Sequence, residues 1–219
     1  MEIIPSLLNA NIYDIKETIE IIKNSGSNFI HIDVMDGKFV PLQAFGGKIV
    51  SDLKKRCDII IDVHLMIENP ENHLSEYQDA DRITVHAEST PHIYRCLQNI
   101  KKMGIKAGVA INPGTSIQMI EDVLPLVDQV LIMTVNPAGL GESFLPHCVK
   151  KIQKVSRLRT QNHYSFEIEV DGNITNQTLY PCLKAGSDLF VCGGYIFNDK
   201  YPSKRIQELS SLVYNYARE

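Results

Sequence analysis

The sequence predicts a (β/α)8 barrel, the TIM barrel fold, in a single domain that covers residues 1–219. Short apolar runs rich in β-branched residues alternate with helix-like segments along the whole chain, as expected for parallel strands linked by helices. Eight such units follow one another at a mean period of about 27 residues, and barrels of this kind typically contain about 250 residues. No linker, low-complexity tract or charge run divides the chain.

A doubly wound open sheet is the main alternative architecture. It normally has fewer strand–helix units and carries a glycine-rich phosphate-binding turn after its first strand. The residues at that point read PSLLNAN and contain no glycine. The sequence therefore favours the barrel.

The eight strands are predicted where apolar residues form short runs bounded by polar or turn-forming residues. Isoleucine and valine dominate most of these runs, and both favour an extended backbone. In chain order the predicted strands are 2–8, 28–35, 58–66, 82–87, 106–111, 129–135, 165–171 and 188–194.

The eight helices are predicted from apolar residues that recur every three or four positions. In the first helix, Ile15, Ile19 and Ile22 share one face. Thr115 and Ser116 can cap the fifth helix, and Gly186 can end the seventh. In chain order the predicted helices are 13–23, 48–55, 70–77, 92–103, one that begins after residue 116, 145–158, 176–185 and 202–216.

The composition limits the partners and the compartment. A net charge of -4 and a pI near 6.0 provide no basic surface, so we expect no nucleic-acid partner. No apolar run approaches the roughly 20 residues that span a bilayer, so we expect no membrane partner. The segment MEIIPSLLNANIYD lacks the basic and then apolar order of a signal peptide. The five cysteines form no CxxC pair, which indicates reduced thiols and a cytoplasmic location.

Polar side chains lie at the C-terminal ends of the predicted strands, where barrel enzymes carry their chemistry. Residues two apart on a strand face the same side, and three such polar pairs occur. If these sides face the barrel interior, imidazoles and carboxylates converge into a set that zinc, manganese, iron or cobalt accepts. A hydrogen-bonded core role for each single histidine is the alternative. The pairs are His31 with Asp33, Asp62 with His64, and Glu169 with Asp171.

Four further residues near the strand ends allow two interpretations. Asp36 precedes Gly37, and this dipeptide commonly forms a turn, so we expect a structural role for Asp36. Met35, Met66 and Met133 end or follow three strands. They are either core filler or an apolar floor beneath a substrate.

Several segments of the chain resemble the ribulose-phosphate 3-epimerases, in order and along almost the entire length. They are PSLLNA, FIHIDVMDGKFVP, IDVHLMIENP, ITVHAE, KAGVAINPGT, VLIMTVNP, EIEVDGNI and GSDLFVCGGYIF. EIEVDG followed by a residue other than glycine is also similar to the allulose-6-phosphate 3-epimerases. The resemblance implies a barrel of the ribulose-phosphate-binding type and a cytoplasmic isomerase of the pentose phosphate pathway that forms a homo-oligomer.

The resemblance also implies roles for particular residues. His31, Asp33, His64 and Asp171 match the ligands of one divalent metal ion (zinc, iron, manganese or cobalt), with zinc expected first. Asp33 and Asp171 match the pair of acids that moves protons. Ser6 and His64 match residues that touch the substrate, and the methionines match its apolar lining. The implied substrate-binding set is Ser6, Met35, His64, Met66, Met133, Gly141, Gly172, Gly193 and Gly194.

The chain departs from the family pattern mainly where the phosphate is held. NPAGLGES at 136–143 replaces NPGFGGQ, and Glu142 would repel a phosphate unless it turns away. Gly194 stands where the family has serine, which removes a hydroxyl, and Asn173 replaces a glycine. Asn9 and Leu42 replace a common serine and a common asparagine. The metal and proton-transfer positions are kept, so the type of reaction is better supported than the substrate.

The resulting hypothesis is a metal-dependent inversion of carbon 3 that converts D-ribulose 5-phosphate to D-xylulose 5-phosphate. D-allulose 6-phosphate is the alternative substrate. A decarboxylase or aldolase would normally need a lysine at a strand end, and no predicted strand ends in one. A non-catalytic barrel that senses a sugar phosphate is a third hypothesis, against which the intact Asp33 and Asp171 argue.

Overall fold

A computed structural model of the chain describes residues 1–138 and 141–218 and confirms the barrel. Eight strands pair in parallel in the order β1-β9-β8-β7-β6-β5-β4-β2, and the short β3 pairs antiparallel with the end of β2. A parallel bridge between Ser6 and His31 closes the sheet from β1 to β2. The strands are β1 (Glu2–Pro5), β2 (Phe29–Asp36), β3 (Gln43–Ala44), β4 (Ile60–Met66), β5 (Arg82–His86), β6 (Lys106–Ile111), β7 (Gln129–Met133), β8 (Glu167–Asp171) and β9 (Leu189–Cys192).

Six of the eight predicted helices are α-helical, and a short additional helix, α6, follows β9. None of the helices in the described ranges combines the length and hydrophobicity that crossing a bilayer requires. The helices are α1 (Ile15–Asn24), α2 (Gly47–Lys54), α3 (Ile93–Lys102), α4 (Cys148–Gln161), α5 (Leu179–Ala185), α6 (Gly194–Phe197) and α7 (Pro202–Tyr216).

The helices predicted at 70–77 and after residue 116 are wrong, because both segments form short 3-10 turns. The first segment splits into Pro70–Asn72 and Leu74–Tyr77, since His73 between them has a φ of -118° and interrupts the helical backbone. The second splits into Ile117–Met119 and Glu121–Val123. Ile120 lies between these two turns, and its φ of -116° interrupts the helical backbone in the same way.

Apolar and polar side chains alternate along the strands and separate the core from the barrel interior. Ile30 and Ile32 of β2 are fully buried in one cluster with Ile19 and Ile22 of α1, between the sheet and the helices. The intervening His31 faces the opposite way, into the barrel. The hydrophobic effect therefore stabilises the outer layer, and the interior combines polar groups with a smaller apolar cluster that includes Ala110, Leu131 and Met133.

One arrangement of hydrogen bonds, which we call a clamp, occurs three times at the N-terminal ends of the strands. An aspartate just before one strand accepts a backbone N–H from the strand before it and pairs with a basic side chain of a helix. Asp81, for example, accepts the N–H of Ile61 at 2.8 Å and pairs with Lys54 at 2.7 Å. These clamps tie helices to strands on the side remote from the site. The other two are Asp128 with Ala107 and Lys101, and Asp188 with Ile168 and Arg159.

Candidate active site

A cavity of about 480 Å³ opens at the C-terminal ends of the strands, where the sequence places the site. It is lined by ten of the twelve residues predicted to bind metal or substrate. His31 and His64 are the exceptions, because both are fully buried beneath its floor. The ten are Ser6, Asp33, Met35, Met66, Met133, Gly141, Asp171, Gly172, Gly193 and Gly194.

Four side chains meet at the bottom of this cavity. Register explains part of the cluster, since Asp33 of β2 lies directly opposite His64 of β4. Nδ1 of His64 is 3.3 Å from Oδ1 of Asp33 and 3.7 Å from Oδ2 of Asp171, and Nε2 of His31 is 3.3 Å from the same Asp33 oxygen. One ligand atom from each of the four lies within 4.8 Å of the others. The structure thus brings together the residues predicted to hold a metal.

The hydrogen bonds of His31 fit a metal ligand. Its Nδ1 is 2.8 Å from Oδ2 of Asp62, and a carboxylate only accepts hydrogen bonds, so Nδ1 carries the proton of the neutral ring. Its Nε2 is buried and has no hydrogen-bond partner in the described part of the chain. An unpaired lone pair that faces a carboxylate is the arrangement a divalent cation requires. The donor set of two imidazoles and two carboxylates is equally suited to such an ion.

The charges of the cluster support the same conclusion. Burial alone would lower the pKa of His31, but the carboxylates of Asp33 and Asp62 outweigh burial and raise that pKa well above its usual range. Burial alone would raise the pKa of Asp33, but His31 and His64 hold it well below its usual range. The cluster therefore favours positive charge, either as protons on the imidazoles or as a cation that takes their place.

Ser6 and a buried acid pair fix the orientation of the cluster. The Ser6 hydroxyl donates to Oδ2 of Asp33 at 2.7 Å. Behind His31, Asp62 and Glu169 are fully buried and each has one oxygen without a partner among the described residues. Burial and the Asp62 charge raise the pKa of Glu169 well above its usual range. Gln129 donates to the other oxygen of Glu169.

The glycines predicted to face a phosphate line one wall of the cavity. Gly172 has a φ of +124°, and a Cβ there would lie 2.7 Å from the backbone nitrogen of Val135, so this position requires glycine. A Cβ on Gly193 would lie 2.5 Å from Oδ1 of Asn9, and one on Gly194 would lie 3.2 Å from Nδ2 of Asn198. Two carboxamides therefore occupy the space next to these glycines.

The acid of the segment at 136–143 is hydrogen-bonded within that segment. The Glu142 carboxylate accepts the backbone N–H of Asn136 at 3.0 Å and its side-chain amide at 2.9 Å. Glu142 still lines the cavity next to Gly141 and Gly172, so the structure does not turn it away from a phosphate held there. Gly139 and Leu140, which belong to the altered NPAGLGES segment, lie outside the described residues.

Asp36 and the methionines resolve the two open interpretations. Asp36 accepts the backbone N–H groups of Lys38, Phe39 and Glu68 at 2.8 to 2.9 Å, which is the predicted turn role. Met35 and Met66 pack with Val40 in a separate cluster at the mouth instead of in the layer between sheet and helices. Their position on the cavity wall favours a lining role over a filler role.

The sequence does not predict a role for several residues around the site. Asp62 and Glu169 were recognised only by their two-residue spacing from His64 and Asp171, without a role. Glu88 lies two residues after His86, the last residue of β5. It shows the same two-residue spacing of a histidine and an acid, on the next strand after β4. Asn198 lies beyond the last barrel strand, and no pattern in the sequence marks it.

A barrel with imidazoles and carboxylates gathered at the C-terminal ends of its strands carries the groups that enzymes use for acid–base chemistry and for binding a divalent cation. The chain belongs to the ribulose-phosphate 3-epimerase family, whose family model matches residues 2–197. The resemblance stated from the sequence, to a family of isomerases, is confirmed.

Known relatives and solved structures agree with this assignment. The chain is 39% identical over 211 residues to the ribulose-phosphate 3-epimerase of Aquifex aeolicus (strain VF5), covering 95% of each chain. It is 38% identical over 212 residues to that of Bacillus subtilis (strain 168), covering 95% of this chain and 98% of the relative. A 3-hexulose-6-phosphate synthase from Salmonella typhimurium has a TM-score of 0.72 at 14% identity, with 99% and 100% of the two chains covered. That structure shows a shared fold.

Proposed function

We propose that the protein inverts carbon 3 of a phosphorylated ketose and interconverts D-ribulose 5-phosphate and D-xylulose 5-phosphate. The observation that carries this proposal is the approach of Asp33 and Asp171 to one imidazole, His64, from two different strands. β2 and β8 are separated in the closed sheet by β1 and β9, so the two carboxylates reach the cluster from different sides.

Two carboxylates on different sides suit an inversion. The carbon next to a ketone loses a proton from one face and gains one on the other, and each aspartate serves as base in one direction and as acid in the other. Ser6 holds Oδ2 of Asp33 at 2.7 Å and so fixes which oxygen faces the substrate. Met35, Met66 and Met133 exclude water from the reacting carbon and offer no competing proton.

We propose that His31, Asp33, His64 and Asp171 hold one divalent ion, with zinc as the first choice among zinc, iron, manganese and cobalt. When bound, the ion acts as a Lewis acid that stabilises negative charge on the substrate oxygens. Its charge also permits two carboxylates to stay ionised close together, which would otherwise raise one pKa strongly.

The phosphate is proposed to lie against the wall formed by Gly141, Gly172, Gly193 and Gly194. Barrels commonly hold phosphate at the loops after their seventh and eighth strands and at a short extra helix, which here are β8, β9 and α6. The carboxamides of Asn9 and Asn198 line the same wall and supply N–H donors where the family serine would supply a hydroxyl.

The setting is proposed to be a reducing cytoplasm, with one catalytic domain per chain and a homo-oligomer. All five cysteines are free, and four of them are buried. Burial raises the pKa of Cys96 and of Cys182 to about 12, which makes these thiols unreactive.

The test is turnover of D-ribulose 5-phosphate by zinc-loaded protein in deuterated water, followed by proton NMR. We expect D-xylulose 5-phosphate to form with solvent deuterium at carbon 3. The kcat/KM is expected to be higher for D-ribulose 5-phosphate than for D-allulose 6-phosphate, and the reverse order would establish the hexose substrate. No exchange with any ketose phosphate would support the non-catalytic sugar-phosphate sensor instead.

A further inference from the structure

A second histidine lies directly behind the proposed metal ligand His64. Nε2 of His86 is 2.8 Å from Nε2 of His64, and the two rings stack with centroids 4.9 Å apart and an interplanar angle of 23°. Both side chains are fully buried. On its other side, Nδ1 of His86 is 3.3 Å from Oε2 of Glu88. Three side chains on β4, on β5 and just after β5 therefore form one hydrogen-bonded row that ends at the site.

Glu88 is fixed at the outer end of this row. Its Oε1 accepts the backbone N–H of Asn112 at 2.8 Å and the hydroxyl of Thr115. Lys151 of α4 donates to the carbonyl oxygens of Asn112 and Thr115 at 2.7 and 2.5 Å and so holds that loop. The Glu88 side chain is 19% exposed, so protein groups rather than water hold it in position and donate to its carboxylate.

The donors and acceptors of the row determine one arrangement of protons. A carboxylate only accepts, so His86 must carry its proton on Nδ1 and leave a lone pair on Nε2. His64 then donates from its own Nε2, and where a divalent ion takes the place of a proton at the site, the lone pair of Nδ1 faces Asp33 and Asp171. We propose that Glu88 and His86 are positioning residues that fix the tautomer of His64, so that Nδ1 is the atom that binds the metal. This inference rests on the metal site of the proposed function.

The two histidine ligands are then oriented by different means. His31 is held through Nδ1 by a carboxylate in direct contact and presents Nε2 to the site. His64 is held through Nε2 by an intervening imidazole and presents Nδ1. Partners behind a ligating histidine are worth about 10- to 100-fold in metal affinity.

The most informative variant is Glu88→Gln, because it reverses the direction of the hydrogen bonds along the row with little change in side-chain shape. The amide oxygen can keep the bonds from Asn112 and Thr115, while the amide nitrogen now donates to Nδ1 of His86. His86 must then donate to His64, which places a proton on Nδ1 of His64 and blocks it as a ligand. Glu71→Gln is the matched control, since Glu71 accepts from Thr90 at 2.8 Å on a neighbouring loop and does not touch the row.

The measurement is the zinc dissociation constant of each full-length variant, obtained by competition with a chelator at pH 7.5. We expect Glu88→Gln to weaken zinc binding by about 10- to 100-fold and Glu71→Gln to leave it unchanged. A dissociation constant for Glu88→Gln within twofold of the wild type, in an enzyme that still epimerises, would overturn this inference and leave the proposed function intact. A wild type that binds no divalent ion would overturn both.

A second measurement needs no variant. Long-range proton–nitrogen NMR of zinc-loaded wild-type protein is expected to show the proton of His64 on Nε2 and that of His86 on Nδ1. A purely packing role for His86 would not fix these positions. A proton on Nε2 of His86, or zinc on Nε2 of His64, would refute the proposal.

Discussion

Replacement of Asp171 by asparagine tests the two-acid mechanism most directly. The change removes a charge and a proton carrier with almost no change in volume, at a side chain that is 18% exposed and lies 3.7 Å from His64. A positioned acid or base contributes about 10²- to 10⁴-fold to a rate. We expect kcat to fall by at least about a thousandfold, which corresponds to about 4 kcal/mol in the activation barrier.

The assay separates loss of chemistry from loss of metal. Zinc content is measured on the same preparation, and kcat is expressed per bound ion. Because Asp33 is untouched, Asp171→Asn should still exchange the carbon 3 proton of one epimer with deuterated water while it fails to interconvert the two. Asp33→Asn should show the complementary exchange with the other epimer.

Asp36→Asn serves as the control at the same rim, since Asp36 accepts backbone N–H groups only in its own turn and from Glu68. It should keep activity within about tenfold of the wild type. Near-normal turnover by metal-loaded Asp171→Asn would refute the reasoning, as would loss of deuterium exchange from both epimers.

Four further outcomes follow from the geometry. Gly172→Ala places a Cβ 2.6 Å from Cγ2 of Val135 at a φ of +124° and should cost at least about 1–3 kcal/mol of unfolding free energy in urea titrations; an unchanged midpoint would contradict this. Burial lowers the pKa of His86 to about 4, so between pH 6.5 and 4 the unfolded chain binds a proton that the folded protein does not. The unfolding free energy of metal-free protein should therefore fall as the pH drops through that window, by up to about 3 kcal/mol, and His86→Gln should fall less. Asn198→Ala should raise KM for the phosphorylated ketose with little change in kcat, and Gly194→Ser in that background should lower KM again; an unchanged KM would exclude Asn198 from the phosphate wall. Zinc at about 1,000 times its dissociation constant should add about 4 kcal/mol of stability, measured as a rise in Tm that a chelator reverses.

The strands and helices that follow from the periodicity of apolar residues could be predicted. The points at which the backbone interrupts a helix or ends a strand could not. All eight parallel strands lie within or overlap the predicted segments, because β-branched runs specify extended backbone wherever they are buried. The prediction of a helix after Ser116 is wrong because the backbone breaks at Ile120, and the spacing of apolar residues does not encode that break. The first predicted strand reached residue 8, whereas β1 ends at Pro5 and Ser6 caps a 3-10 turn.

The site shows the same division between what lies on strands and what lies on loops. Alternation places His31, Asp33, His64 and Asp171 on the interior side of the sheet together with Asp62 and Glu169, and the family resemblance selects the four from this set. Asn198 and Glu88 lie outside the strands, where no periodicity relates sequence position to direction. Glu142 could be expected near the phosphate, but its bonds to Asn136 depend on loop geometry that spacing does not encode.

The position of the proposed metal explains why its removal should weaken the whole barrel. Within the described residues, the backbone pairing that closes the sheet between β1 and β2 is the bridge from Ser6 to His31, reinforced by the hydroxyl of Ser6 on Asp33 and by that of Ser27 on the Ile3 carbonyl. The ligands lie on both sides of that closure, with His31 and Asp33 on β2 and Asp171 on β8, two strands beyond it. An ion bound by all four would span the closure in a way that the sparse backbone pairing does not. Under the proposed function, stability and chemistry would depend on the same few side chains, since the sparsest backbone pairing among the described strands lies at the site.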